Sequence, residues 1–378
     1  MLRKILPVAA ILLLALAAYL CFAPIPAKPQ VWQAKKSLGY VGAHVPNQKL
    51  AQLKQISLNG EIGPEHVAFG PDGALYASVD GGKIVRMQAD GGAPSIWANT
   101  GGRVLGFAFD SKGQMIAADA FRGLLAISMG SERKITVLLD KIQVAGKSEE
   151  IKFANSVVIA KNVKIYFSDS STQFGTRAWG GTFLASVMDI LEHSSTGRVI
   201  EFDPSNQQAR IVIQDLCFAN GLALSDDEKS LFVAETGEYR VWKIDPAAQN
   251  LSAKISKGNH PQAKVLLDNL PGYPDNLMRG LDGKIWLGLA KPRSNLVDQI
   301  ADKPFLREVT LRLPQKLWPV PPNYGHVIAF NENGKILADL QDPKGSYPET
   351  TGVVETADKL IIQSLHAHSL GWMERPKF

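Results

Sequence analysis

The chain has 378 residues, 45% of them hydrophobic and 20% charged, which is ample for a buried core and excludes intrinsic disorder. Its formal net charge of +5 comes from 41 basic and 36 acidic residues spread without a basic block, so nucleic acid is not an expected partner. Two cysteines, Cys21 and Cys217, supply neither a disulfide framework nor a zinc knuckle.

The first element in chain order is an apolar leader. Arg3 and Lys4 precede an uncharged run from Ile5 to Ala27, long enough to cross about 30 Å of hydrocarbon as a helix. Its end, YLCFAPIPA, lacks the small-residue pattern of a cleavage site, and Leu20 before Cys21 does not suit a lipoprotein. Residues 1–27 therefore read as a cytoplasmic tip and an uncleaved signal-anchor transmembrane helix. The positive-inside tendency sends the remainder to the non-cytoplasmic side: periplasm, lumen or cell surface. Residues 28–48, with Pro29 and Pro46, read as a linker leading away from the bilayer.

From residue 49 to 378 short apolar and polar alternations are separated by turn pairs, an all-β signature. One unit recurs six times: EHVAFGPDGALYASV from Glu65, LGFAFDSKGQMIAAD from Leu105, NSVVIAKNVKIYFSD from Asn155, NGLALSDDEKSLFVAE from Asn220, DNLMRGLDGKIWLGL from Asp275 and TGVVETADKLIIQSL from Thr351. Spacings of 40, 50, 65, 55 and 76 residues suit propeller blades with insertions, because each sheet must bury both faces against its neighbours. The expected fold is a six-bladed β-propeller. Insertions near 172–197 and 291–324 account for the longest spacings. The first carries an amphipathic helix, TFLASVMDILEH, the second the Pro-rich LPQKLWPVPPNY, and both read as lids over one end of the channel.

Innermost strands line a propeller's channel, so the six starts should form a ring at one mouth. They are Glu65, Leu105, Asn155, Asn220, Asp275 and Thr351. Glu65, Asn155, Asn220 and Asp275 offer hard oxygen ligands with two formal charges, which suits Ca²⁺; no His or Cys stands in the ring to favour zinc. Taken singly each has an ordinary reading: Asn220-Gly221 is a common turn pair, and Asp275 follows Tyr273-Pro274 in a loop-like context. Their shared phase in an independently defined repeat is what makes them a site. Asn276 and Thr351 are candidate supporting residues. His66 should point away from the ring, while His366 and His368 would share one face of a strand.

GPEHVAFGPDGALYASVDGG, GRVLGFAFDSKGQMIAADAFRGL, the stretch from KIYFSDSS to FANGLALSDDEKSLFVAET, and LPGYPDNL resemble the strictosidine synthase-like family, in its membrane-anchored branch. That family is grouped with gluconolactonases, paraoxonases and diisopropyl fluorophosphatase among calcium-containing six-bladed propellers. The resemblance implies metal ligation by Glu65, Asn155, Asn220 and Asp275, with Asp275 also as base or nucleophile, and a propeller held outside the cytosol by its leader. Leu105 stands where a paraoxonase-like enzyme would present His. Thr351 stands where plant strictosidine synthases carry a catalytic Glu, unless Glu349 or Glu355 replaces it, so strictosidine synthesis itself is not expected. The expected function is a membrane-anchored, calcium-dependent hydrolase acting on a small-molecule ester or lactone. The alternative is a catalytically silent, calcium-stabilised propeller that binds a ligand or partner.

Overall fold

The computed structural model describes residues 2–256 and 258–377, with side chains from residue 7 onward. Among the described residues, six sheets of four or five strands follow one another along the chain, antiparallel except for one short parallel pair in the third, Ile213 with Leu251, and with one extra hairpin at residues 141–150. Their innermost strands are His66–Phe69, Val104–Phe109, Ala154–Ile159, Ala219–Leu224, Gly272–Arg279 and Thr350–Glu355. Each packs beside the next, and the last beside the first, so the chain is a six-bladed β-propeller. The sixth blade takes its outer strand from the N-terminal side: Lys54–Ser57 pairs antiparallel with Ser369–Glu374, Lys54 opposite Trp372. Radial closure of this kind leaves only short edges.

Blade faces bury large side chains between sheets, among them Tyr76, Phe107, Phe167, Trp242, Trp286 and Phe330. Where such rings carry a polar tip it is satisfied: the Trp242 Nε1–H donates to Glu235 Oε2 at 2.6 Å and that of Trp286 to Glu355 Oε2 at 2.9 Å. Turns between first and second strands follow the repeat. Asp72-Gly73 puts Gly73 at φ 72°, and the third blade places Val163 in the equivalent left-handed position at φ 64°.

One irregularity positions the site. In the second to sixth blades the ladder between first and second strands shifts register near the repeat start: between Val104 and Gly106, Ala154 and Val157, Ala219 and Leu222, Pro274 and Leu277, and Thr350 and Val353. Bulges free a residue from the ladder and re-aim its side chain. Five of the six repeat starts, Glu65, Leu105, Asn155, Asn220 and Asp275, line one cavity; the sixth, Thr351, does not. Asn220-Gly221 is consequently no turn pair; it lies inside the strand Ala219–Leu224. A Cβ on Gly221 would stand 2.3 Å from Asp275 O and from Leu277 N, so glycine is required by the close approach of two innermost strands.

The leader forms the helix Leu2–Phe22, with most of its described apolar side chains exposed. Among the described residues no helix is long and apolar enough to cross a membrane. Arg312 closes its carboxyl end: Nε donates to Ala23 O at 2.6 Å and Nη1 to Leu20 O at 3.1 Å, a cation placed at the negative end of the helix dipole. Residues 28–48 connect this helix to the propeller as a strap laid across it. The N–H of Gln30 donates to Glu192 O at 2.8 Å, that of Trp32 to Ala301 O at 3.1 Å, and Asn269 Nδ2 to Lys36 O at 3.0 Å. Trp32 is buried and stacks on His193 at 4.0 Å. The first insertion holds the helix Thr182–Glu192; the second holds the helices Asn295–Gln299 and Pro304–Arg312.

Candidate metal centre

Glu65, Asn155, Asn220 and Asp275, contributed by four different blades, line one cavity of about 170 Å³ at the axis, together with Leu105. All four are buried. Asn276 and Thr351 are not among the lining residues. Both brace Glu65 instead: Asn276 Nδ2 donates to Glu65 O at 3.0 Å and Thr351 Oγ1 to the same oxygen at 2.8 Å.

Hydrogen bonds from neighbouring strands fix which end of each carboxamide faces the cavity. Asn155 Nδ2 donates to Ser170 Oγ at 3.0 Å, and Ser170 Oγ donates onward to Ala219 O at 2.6 Å, the residue before the next ring position. The fourth blade repeats the device: Asn220 Nδ2 donates to Thr236 Oγ1 at 3.1 Å, which donates to Pro274 O at 2.7 Å, just before Asp275. With their nitrogens engaged outward, Asn155 Oδ1 and Asn220 Oδ1 are left buried and, among the described residues, without a hydrogen-bond partner, as is Glu65 Oε2. Buried polar atoms are almost always satisfied. Three orphaned oxygens beside a second carboxylate form a donor set that fits a hard cation of the calcium type.

Electrostatics agree. Burial raises the Glu65 carboxyl to about 7, outweighing the nearby Arg103, and burial followed by the Glu65 charge holds Asp275 well above the usual carboxylate range. Two like charges in a buried cavity resist ionisation unless a cation compensates them.

The cavity wall is apolar and comes largely from the insertions. Phe183, Val187 and Ile190 of the first and Val297, Trp318 and Val320 of the second line it, with Phe153 and Phe218 from the blades. Its mouth holds a group that the repeat pattern did not single out: Glu349 carries Lys291 Nζ at 2.6 Å on one oxygen and His366 Nδ1 on the other, and all three residues line the cavity. The Glu349 hydrogen bond raises the His366 imidazole above its usual value. Burial pushes Glu349 up, but His366 and Lys291 outweigh it and hold the carboxyl low. His366 and His368 do not share a strand face. Both lie in the loop between Lys359–Ser364 and Ser369–Glu374, and His368 is absent from the cavity lining. The signal available in the sequence was Glu349, two residues before a ring position. Glu355, the other acid considered there, binds Trp286, Lys284 and Arg375 outside the cavity. His66 packs edge-on against Phe107 at 4.8 Å, and burial lowers it to about 4.

Fold and site together define a six-bladed propeller with an axial cluster of oxygen donors. The strictosidine synthase-like N-terminal model matches residues 42–87 and the strictosidine synthase model residues 155–245. Strictosidine synthase-like 10 of Arabidopsis thaliana is 30% identical over 346 residues, covering 84% of this chain and 87% of the relative. Adipocyte plasma membrane-associated protein of Danio rerio is 28% identical over 360 residues, covering 90% and 82%. The chain belongs to the strictosidine synthase-like family. Among solved structures, a gluconolactonase from Xanthomonas campestris superposes with a TM-score of 0.58 at 17% identity over 93% of this chain and 98% of that one. The calcium-binding protein regucalcin from Agrobacterium tumefaciens superposes with 0.55 at 12% identity over 85% and 94%. At these identities the likeness is one of fold.

Proposed function

We propose that this protein is a calcium-dependent hydrolase of small, weakly polar esters or lactones. The observation that carries the reading is the set of orphaned oxygens of Glu65, Asn155 and Asn220 facing the same cavity as Asp275, beneath apolar lids. Those four residues would hold the cation. When bound, calcium supplies polarisation of a carbonyl oxygen and keeps both carboxylates ionised. The lids exclude water and hold the apolar body of the substrate, leaving its ester group against the polar floor. Asp275 takes the proton of the attacking water at a carboxylate oxygen. His366, whose imidazole the Glu349 hydrogen bond holds above its usual value, gives a proton to the departing alkoxide. Names of structural neighbours, a gluconolactonase and a calcium-binding protein, support this reading.

We further propose that the apolar leader, residues 1–27, whose described residues alone form no helix long and apolar enough to span, anchors the protein in a membrane with the propeller on the non-cytoplasmic side. Support comes from the exposure of its apolar side chains, with Leu14 at 70% and Phe22 at 82%, and from the name of the adipocyte plasma membrane-associated relatives. The test of activity is hydrolysis of aryl acetates and lactones by the purified chain with calcium or with chelator. Turnover that chelation abolishes, and that Asp275→Asn and His366→Ala each reduce by at least tenfold, supports the hydrolase. If no substrate turns over while calcium still raises thermal stability, the silent, ligand-binding propeller is correct.

A further inference from the structure

We propose that His44, His326 and Asp339 form a second metal site, selective for a zinc-class transition ion, that staples the N-terminal strap to the fifth blade. The three residues come from separate elements: His44 from the turn Gly42–His44 of the strap, His326 from the strand Gly325–Asn331, and Asp339 from the outer strand Ile336–Asp342. His44 Nδ1 lies 2.7 Å from Asp339 Oδ2 and His326 Nε2 lies 3.0 Å from the same oxygen. All three ligand atoms fall within 4.8 Å of one another.

The surroundings prepare this arrangement. Asp339 Oδ1 is engaged by Asn47 Nδ2 at 3.4 Å and by Gln341 Nε2, which orients the carboxylate and leaves Oδ2 to the imidazoles. Gln341 Nε2 also reaches His44 O at 3.1 Å, and Asn47 Oδ1 accepts from the Gln341 N–H at 3.0 Å, so the group that orients the carboxylate also holds the strap. Outer interactions of this kind accompany protein metal sites. Tyr40 and Tyr324 stack at 5.0 Å, and Tyr40 lies 5.7 Å from the His326 ring. Among the described residues, the Tyr40 hydroxyl and His326 Nδ1 are both buried without a hydrogen-bond partner. With Nε2 of His326 and Nδ1 of His44 as ligands, the imidazole protons would reside on the opposite nitrogens.

Two imidazole nitrogens and one carboxylate oxygen select zinc, cobalt or nickel over calcium. The site is therefore chemically orthogonal to the oxygen cluster at the axis and independent of the function proposed for it. Because Tyr324 ends the second insertion, an ion here would also fix the foot of that lid.

The full chain, stripped of metal and supplied with saturating calcium, is titrated with Co²⁺ and followed by visible absorption, with Zn²⁺ as competitor and bound metal counted by mass spectrometry. One Co²⁺ per chain, displaced by Zn²⁺, is expected, with affinity falling at least a hundredfold in His44→Ala and in Asp339→Asn and unchanged in Glu65→Gln. Zinc should also slow hydrogen exchange in residues 40–50. His44 belongs to the strap, so its variant leaves the blades intact, and circular dichroism checks the fold of both. Absence of Co²⁺ binding at micromolar concentration, or wild-type affinity in a folded His44→Ala, overturns the site and leaves a hydrogen-bonded His–Asp–His clasp.

Discussion

Replacing Glu65 with Gln should stabilise the cation-free protein and destabilise the calcium-loaded one. In the cation-free fold, burial raises this carboxyl from an ordinary 4.5 to about 7. A carboxyl whose folded-state pKa exceeds its unfolded value binds its proton more tightly in the folded chain. Its contribution is intact below about 4.5 and is lost progressively as pH rises to about 7. At about 1.4 kcal/mol per pH unit, that interval is worth about 3 kcal/mol. Glutamine has the same shape and nothing to ionise. In chelator above pH 7, Glu65→Gln should thus unfold at higher urea than wild type by the equivalent of about 3 kcal/mol, with the difference vanishing near pH 4.5. Saturating calcium should reverse the order, since Gln brings one less charge to the ion. Equal or lower stability of the variant in chelator at pH 7.5 would refute the assignment of Glu65 as a buried, uncompensated carboxylate.

Two further substitutions probe the scaffold of the site and a third an exposed blade turn. Thr236→Val removes the hydroxyl that holds Asn220 Nδ2; calorimetry should show calcium affinity falling by about tenfold with the fold unchanged. Gly221→Ala places a methyl group 2.3 Å from backbone atoms of the fifth blade, and urea unfolding should register a loss of about 3 kcal/mol because neither backbone can retreat. Val163→Gly relieves a β-branched residue at φ 64° on an exposed turn, so a gain of about 1 kcal/mol is expected in the same assay.

Phase was the most legible property of this chain. Six repeat starts could be aligned from alternation and turn spacing alone, and the structure brings the four oxygen-bearing ones to a single cavity. Side-chain aim was less legible, because it depends on register shifts at the beginning of each innermost strand, and bulges leave no reliable mark in sequence. Asn220-Gly221 shows the ambiguity: the pair is common in turns, yet here glycine is demanded by the proximity of Asp275 and Leu277. Contacts between distant segments were not readable at all. Nothing local announces that His366 will meet Glu349 at the cavity mouth, or that Trp32 in a Pro-containing stretch will stack on His193. The apolar leader was plain in composition, and the described part of its helix ends against Arg312 of an insertion helix, a contact between residues 289 positions apart.

A crystal structure grown with calcium and compared with one grown in chelator tests the central claim most directly. The account predicts one ion on the axis, coordinated at about 2.3–2.6 Å by oxygens of Glu65, Asn155, Asn220 and Asp275. An axis that stays empty at saturating calcium, or an ion held by residues elsewhere, would contradict it.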